Sequence, residues 1–326
     1  MAAARGRAGR LIRLAVDGGE HPLITALLAR CTFAAPGTAV TCAVSGGADS
    51  TALLVLAIAA GCRVTAIHVD HGLRVGSAEE VGIVAATAAR LGAVFAARRV
   101  DLLDGPNLEA RARAARYATL PPDVLTGHTA DDQAETMLLN LLRGAAGAGL
   151  GGMRPSQRRP LLALRRSETV ELCSSLDIAV VDDPSNADPR HLRNRVRHEL
   201  LPMLADLAGR DVVPVLNRQS DLLRDDDDML VELATALDPA DARELAGAPL
   251  PLARRAVRAW LRGEHPPDAA AVERVLDVAR GAATACETAG GVRIERSRQR
   301  LRRVTAHGAT ADADRTTIFD SASEPG

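Results

Sequence analysis

Short apolar runs alternate with longer amphipathic stretches through the first half of the chain, and this alternation sets the expected fold. A loose start leads into a helix near residues 21–30. Residues 40–44 read as a buried strand, followed by a glycine turn and an apolar helix over 50–60. Residues 63–69 and 94–100 are further strands, separated by an amphipathic helix over 79–91. A helix over 107–119, a short fourth strand over 124–126 and a helix over 131–142 complete the series. Continuous apolar strands spaced by helices predict an α/β fold, a parallel sheet flanked by helices, with ligand at the carboxyl ends of the strands.

The pattern then changes. Residues 144–152 are glycine-rich and suit a mobile loop. Beyond about residue 202, helical segments at 216–237, 239–245, 251–262 and 270–280 follow one another without strands between them. Gly290-Gly291 introduces an alternating stretch, 292–304, which reads as one extended strand. This predicts a first domain over 1–205, a smaller, mainly helical C-terminal domain over 206–305, and a polar, disordered tail over 306–326.

Composition removes several chemistries. All 40 basic residues are arginine, so neither a Schiff-base lysine nor the lysine of a Walker-type phosphate loop is available. With 41 acidic residues the formal net charge is -1, so attraction to nucleic acid would have to come from local clusters. The five cysteines (Cys31, Cys42, Cys62, Cys173 and Cys286) form no CxxC pair and no zinc spacing, as expected of reduced thiols in a cytoplasmic protein. The longest apolar run, 51–62, is too short for a bilayer, and the arginines at 5, 7, 10 and 13 precede no signal-peptide core.

The strongest local signal is a strand, then Ser45-Gly46-Gly47-Ala48-Asp49-Ser50, then a helix. Glycines let backbone approach an anion closely, and amide N–H groups, two hydroxyls and a helix N-terminus make a phosphate cradle without lysine. Asp49 repels phosphate and would act on it through Mg²⁺. The hexapeptide resembles the SGGxDS signature of the PP-loop ATP pyrophosphatases, an adenine nucleotide alpha hydrolase-like fold. That superfamily grips the β- and γ-phosphates of ATP and activates a carbonyl or carboxylate as an adenylate.

Further motifs narrow the resemblance. They are the stretch from Ile67 to Arg74, including His68, Asp70 and His71, and a helix carrying Glu109, Arg113 and Arg116. Gly127-His128-Thr129-Ala130-Asp131-Asp132-Gln133-Ala134-Glu135-Thr136 follows the fourth strand. Leu142-Arg143-Gly144, Arg159-Pro160-Leu161-Leu162, Asp182-Asp183-Pro184-Ser185-Asn186 and Arg193-Asn194-Arg195-Val196-Arg197 come after it. In content and order, over 40–201, these resemble the tRNA(Ile)-lysidine synthetase family. Thr129 stands where that family often has a second histidine.

The resemblance implies ATP-dependent adenylation of carbon-2 of the wobble cytidine in the CAU anticodon of tRNA(Ile). Attack by the ε-amine of free L-lysine then gives lysidine, AMP and pyrophosphate. It implies ATP as substrate, Mg²⁺ as cofactor and no membrane partner, and leaves room for a homodimer.

Read for their own chemistry, Asp131, Asp132 and Glu135 fall within one helical turn and need a cation among them, either Mg²⁺ or a lysine ammonium. Asp49 and Asp131 are the expected metal ligands. Bound lysine must lose a proton, and His128 is the best-placed acceptor, unless it is a packed or surface imidazole. Arg113 would neutralise phosphate charge, or else pair with Glu109. His68 and Asp70 would bound the adenosine pocket or contact metal. For tRNA, Arg193, Arg195 and Arg197 form one cluster. Arg254, Arg255, Arg258 and Arg262 form another, and Arg296, Arg298, Arg300 and Arg302 recur at period two on one strand face. In so arginine-rich a chain a solvated surface is the alternative for each cluster. Other PP-loop enzymes compete with this reading, but a thiolase would need paired cysteines and a glutaminase-coupled synthetase a further domain or partner. A non-catalytic RNA-binding protein would have no use for an intact PP-loop.

Overall fold

The computed structural model describes residues 21–70, 77–100, 118–181, 188–263, 267–288 and 291–304, with the isolated positions 111 and 115. The chain divides into two compact units, Met1–Arg224 and Asp225–Gly326.

In the first unit, helix α1 (Pro22–Leu28) precedes strand β1 (Ala39–Ala43), helix α2 (Ala48–Ala59), strand β2 (Arg63–Asp70), helix α3 (Ser77–Leu91) and strand β3 (Val94–Arg99). The strands pair in parallel in the order β1-β2-β3, with Cys42 opposite Ala66 and Ile67 opposite Ala96. α2 is apolar on nearly every side and accordingly buried, from Ala52 through Ala57. The expected strand at 124–126 reduces to a single bridge between Cys42 and Leu125. Leu125 accepts from Ala43 and donates to Thr41, but the N–H of Val124 turns to Pro121 and that of Thr126 to Arg158, so the ladder ends there.

Helix α4 (Ala130–Leu142) follows, and its apolar stripe of Ala130, Ala134, Leu138 and Leu139 packs with Val196, Leu201 and Val213. The glycine-rich segment is not the free loop expected of it. It carries a short helix, α5 (Gly147–Leu150), and is tied down by its neighbours. Asn140 donates to the Gly149 carbonyl at 2.7 Å, and Gln133 and Arg224 both donate to the Gly151 carbonyl. Helix α6 (Arg166–Ser175) lies against α2. Helix α7 (Leu192–Arg195) passes through a π-helical turn, Val196–Leu200, into α8 (Leu201–Ala208). Helix α9 (Val213–Ala234) contains the division between the two units.

The second unit is built on α10 (Ala242–Gly247), α11 (Leu250–Leu261) and α12 (Ala269–Arg280), packed on an antiparallel sheet β4 (Ala285–Thr288), β5 (Val292–Ser297) and β6 (Arg300–Val304). Leu245, Val257, Val275, Leu276, Ile294 and Leu301 form its core. The single strand expected over 292–304 is therefore a hairpin. Arg298 and Gln299 sit at its tip with φ of 51 and 67°, the left-handed backbone that two-residue hairpin turns demand. This undoes the expected row of four arginines on one face. Arg296 donates to the carbonyls of Val278 and Ala279 at the end of α12, a favourable place for a cation, and also to Gln299. Arg298 is in the turn, and Arg300 pairs with Asp238 at 2.7 Å.

The polar tail 306–326 lies outside the described residues. No described helix is long and apolar enough to cross a membrane. All five cysteines are unpaired, and burial pushes the Cys42 thiol up to about 12.

Candidate active site

The loop between β1 and α2 folds back on itself through its own hydroxyls. Ser50 Oγ accepts from the Ser45 N–H at 3.1 Å and donates to the Gly47 carbonyl at 3.0 Å, while Thr51 donates to the Gly46 carbonyl. Gly46 has φ +95°, and a Cβ there would stand 2.7 Å from Val181 Cγ2, so no side chain fits. At Gly127 the obstacle is backbone, because a Cβ would lie 2.6 Å from the Asp49 carbonyl oxygen. These contacts bring the loop, the Gly127-His128 segment and the start of α4 to one cavity of about 780 Å³.

Three walls enclose it. Ser45, Gly47, Asp49 and Ser50 form the first, where α2 begins. Ile67, Val69 and Leu120 give an apolar second wall. Asp132, Arg166, Arg193 and Arg197 form a charged third. Because side chains alternate along a strand, the residues of β2 that reach the cavity are Ile67 and Val69. His68 and Asp70, expected to bound the nucleotide, are not on this wall. The buried His68 ring donates from Nδ1 to the Val44 carbonyl at 2.8 Å and so braces the strand end that leads into the loop.

The cations among the carboxylates are the chain's own guanidinium groups. Arg166, the first residue of α6, donates to Asp49 at 3.1 Å, to Glu135 at 2.9 Å and to Asp132 at 2.8 Å. Arg193 donates to Glu135 at 2.7 Å and Asp132 at 3.1 Å, and Arg197 donates twice to Glu135, at 2.7 and 3.1 Å. Glu135 has no exposed side-chain surface. Burial raises its pKa, but hydrogen bonds from Arg197 and the charges of Arg166, Arg197 and Arg193 outweigh this and hold it at about 2. Asp132 is fixed from its other oxygen by the N–H and hydroxyl of Thr129.

Asp49 behaves in the opposite way. Burial drives its pKa up, and neither the Arg166 charge nor the Thr169 hydroxyl, which donates to it, cancels that effect. An under-compensated carboxylate facing an open cavity is suited to a divalent cation. Asp131 is not. Its oxygens accept from Arg165 at 3.1 and 3.0 Å and from the Arg166 N–H at 2.8 Å, it lies off the cavity wall, and these donors hold its pKa down against burial. The helix position of Asp131, the other expected metal ligand, turns it toward Arg165. No cluster of three or more metal-ligating side chains occurs among the described residues.

The arginine triplet splits by helical geometry. Arg193 and Arg197 are four residues apart, share a face and reach the carboxylates. Arg195 points elsewhere and pairs with Glu199 at 3.2 Å. His128 lines the cavity, with Nδ1 2.7 Å from the Thr126 hydroxyl, and His191 lines it as well. Glu109, Arg113, Arg116, His71 and the 182–186 motif lie outside the described residues. Sequence reasoning missed Arg166, Thr169 and His191. Among 40 arginines nothing marks Arg166, and only the excess of carboxylate on α4 called for a nearby cation.

Two family models match the chain, a PP-loop domain over residues 24–204 and a TilS substrate binding domain over residues 241–302. The tRNA(Ile)-lysidine synthase of Nocardia farcinica is 42% identical over 292 residues, 84% of this chain and 90% of that protein. The tRNA(Ile)-lysidine synthase of Rhodococcus erythropolis is 43% identical over 242 residues, covering 69% of this chain and 74% of that one. Among solved structures, the U34-tRNA thiolase NcsA from Methanococcus maripaludis aligns at 15% identity and a TM-score of 0.48 over 62% of this chain and 77% of that chain, too distant to bear on function.

Proposed function

We propose, from the premise that the chain belongs to the tRNA(Ile)-lysidine synthase family, how this cavity divides the two half-reactions of that ligase among its residues. The enzyme uses ATP to modify tRNA. In the first half-reaction the carbon-2 oxygen of the wobble cytidine attacks the α-phosphorus of ATP, and the bond to pyrophosphate breaks. In the second the lysine ε-amine attacks carbon-2, the carbon–oxygen bond breaks, AMP leaves and the amine gives up a proton.

One observation carries the assignment of residues. Arg166, on the cavity wall, joins the phosphate-loop carboxylate Asp49 to Asp132 and to the buried Glu135 behind it. Phosphates would lie against Ser45, Gly47 and the N-terminus of α2, with the adenine on Ile67, Val69 and Leu120. Asp49 would hold Mg²⁺, which when bound neutralises phosphate charge. Asp132 and Glu135 would receive the lysine ammonium, and His128 would take its proton. The assay that decides the reaction is pyrophosphate release with and without tRNA, and with each free amino acid in turn. Release independent of tRNA, or indifferent to lysine, would contradict the reading.

Two expectations follow from these placements. His128→Ala should slow lysine attack more than adenylation, by about 10²-fold, the usual contribution of a positioned acid–base group. The deficit should shrink as pH rises and more lysine is neutral already. A single-turnover assay in which adenylated tRNA fails to accumulate would assign His128 another role. In the second unit, Arg298 and Arg300 remain the tRNA contacts to test. If both touch phosphate, changing them to Gln should flatten the log–log salt dependence of binding by roughly 0.7 to 0.9 per contact, with the KM values for ATP and lysine unchanged. An unaltered slope would assign the hairpin to the solvated surface.

A further inference from the structure

The acids assigned above to the lysine ammonium are already occupied. Glu135 accepts from three guanidinium groups at 2.7 to 3.1 Å and is fully buried, so no incoming amine reaches it while all three stay in place. Among the described residues, the carboxylates that Arg193 and Arg197 pair with are Glu135 and Asp132. Arg166 differs, because its Nε also lies 3.1 Å from Asp49 on the phosphate-loop side. A guanidinium forks onto phosphate at least as well as onto carboxylate, and a polyphosphate carries more charge than Asp132 and Glu135 together.

We infer that Arg166 is a further catalytic residue of this ligase: on nucleotide binding it exchanges Asp132 and Glu135 for the phosphates of ATP, which opens those two acids to the lysine ammonium. This rests on the reading that Asp132 and Glu135 hold lysine. The exchange conserves charge around the acids, one cation leaving as another arrives, so neither half of the site is left holding an uncompensated buried ion. It also sets an order, nucleotide before lysine.

The test is equilibrium dialysis of radiolabelled lysine against the full chain, with and without Mg²⁺ and the α,β-methylene analogue of ATP. In the unmodified protein the analogue should tighten lysine binding at least tenfold. Arg166→Gln should bind lysine more tightly than the unmodified protein when nucleotide is absent, and its response to the analogue should fall below twofold. Arg166→Lys, which keeps a cation but not the fork, should respond by an intermediate factor. Less than twofold coupling in the unmodified protein overturns the inference without any variant. A tenfold response that persists in Arg166→Gln overturns it as well. Glu135→Gln separates the two levels: unchanged lysine binding there removes the underlying assignment, whereas lysine binding lost in Glu135→Gln together with less than twofold coupling in the unmodified protein removes the exchange alone.

Discussion

Asp49→Ala is expected to reduce AMP formation by at least about 10²- to 10³-fold, the usual loss when one charge-stabilising group is removed from a reacting centre. The fold should survive, because the Asp49 side chain is 24% exposed, lies on the cavity wall and packs no apolar core. Its pKa is raised by burial in spite of Arg166 and Thr169, so the free protein tolerates this carboxylate more than it relies on it. Removing it leaves Arg166 anchored on Asp132 and Glu135. Quenched reactions with radiolabelled ATP give the rate, and a thermal melt checks the fold. Near-normal turnover would contradict the role given to the phosphate loop.

Glu135→Gln should have the largest effect on stability, because it leaves Arg166, Arg193 and Arg197 facing a neutral amide. Breaking a buried ionic cluster from one side costs about 3–5 kcal/mol. The variant should also lose lysine saturation while keeping its ATP affinity within a few-fold. The same residue sets a pH dependence. Its pKa falls from 4.5 in an ordinary glutamate to about 2 in the folded chain, so its stabilisation is complete above the higher value and is lost as pH drops from there toward 2. Urea midpoints measured across that interval should fall steeply in the unmodified protein and much less in Glu135→Gln. Parallel curves would show that the cluster does not stabilise the fold.

Much of the first unit was legible because its signals are local. A buried strand, a glycine turn and an apolar helix specify the phosphate loop within about twenty residues, and the carboxylates on α4 declare themselves by helical spacing. What was not legible depended on pairing between distant segments. The partners of Asp132 and Glu135 come from residues 166, 193 and 197, and an arginine in so arginine-rich a chain carries no mark of its neighbours. The hairpin was missed for a related reason. Arg298-Gln299 is not the Asn-Gly or Gly-containing pair that normally announces a two-residue turn, so the alternation seemed to run straight through it. His68 shows a third limit, since a histidine at a strand's carboxyl end suggests chemistry until alternation is seen to give the cavity to Ile67 and Val69.

Beside the cavity the carboxylates of Asp49, Asp132 and the buried Glu135 offset the guanidiniums of Arg166, Arg193 and Arg197, and this bears on how fast the enzyme finds its nucleotide. A cleft lined by one sign of charge draws an oppositely charged ligand from a distance and can raise its capture rate by orders of magnitude. These six side chains project almost no net field beyond the mouth. Capture of ATP should therefore proceed at the unsteered rate set by diffusion and orientation, and should change little between low and high salt. If tRNA phosphates meet the arginines of the hairpin, binding of tRNA should slow steeply over the same range. Raising salt would then change which substrate arrives first.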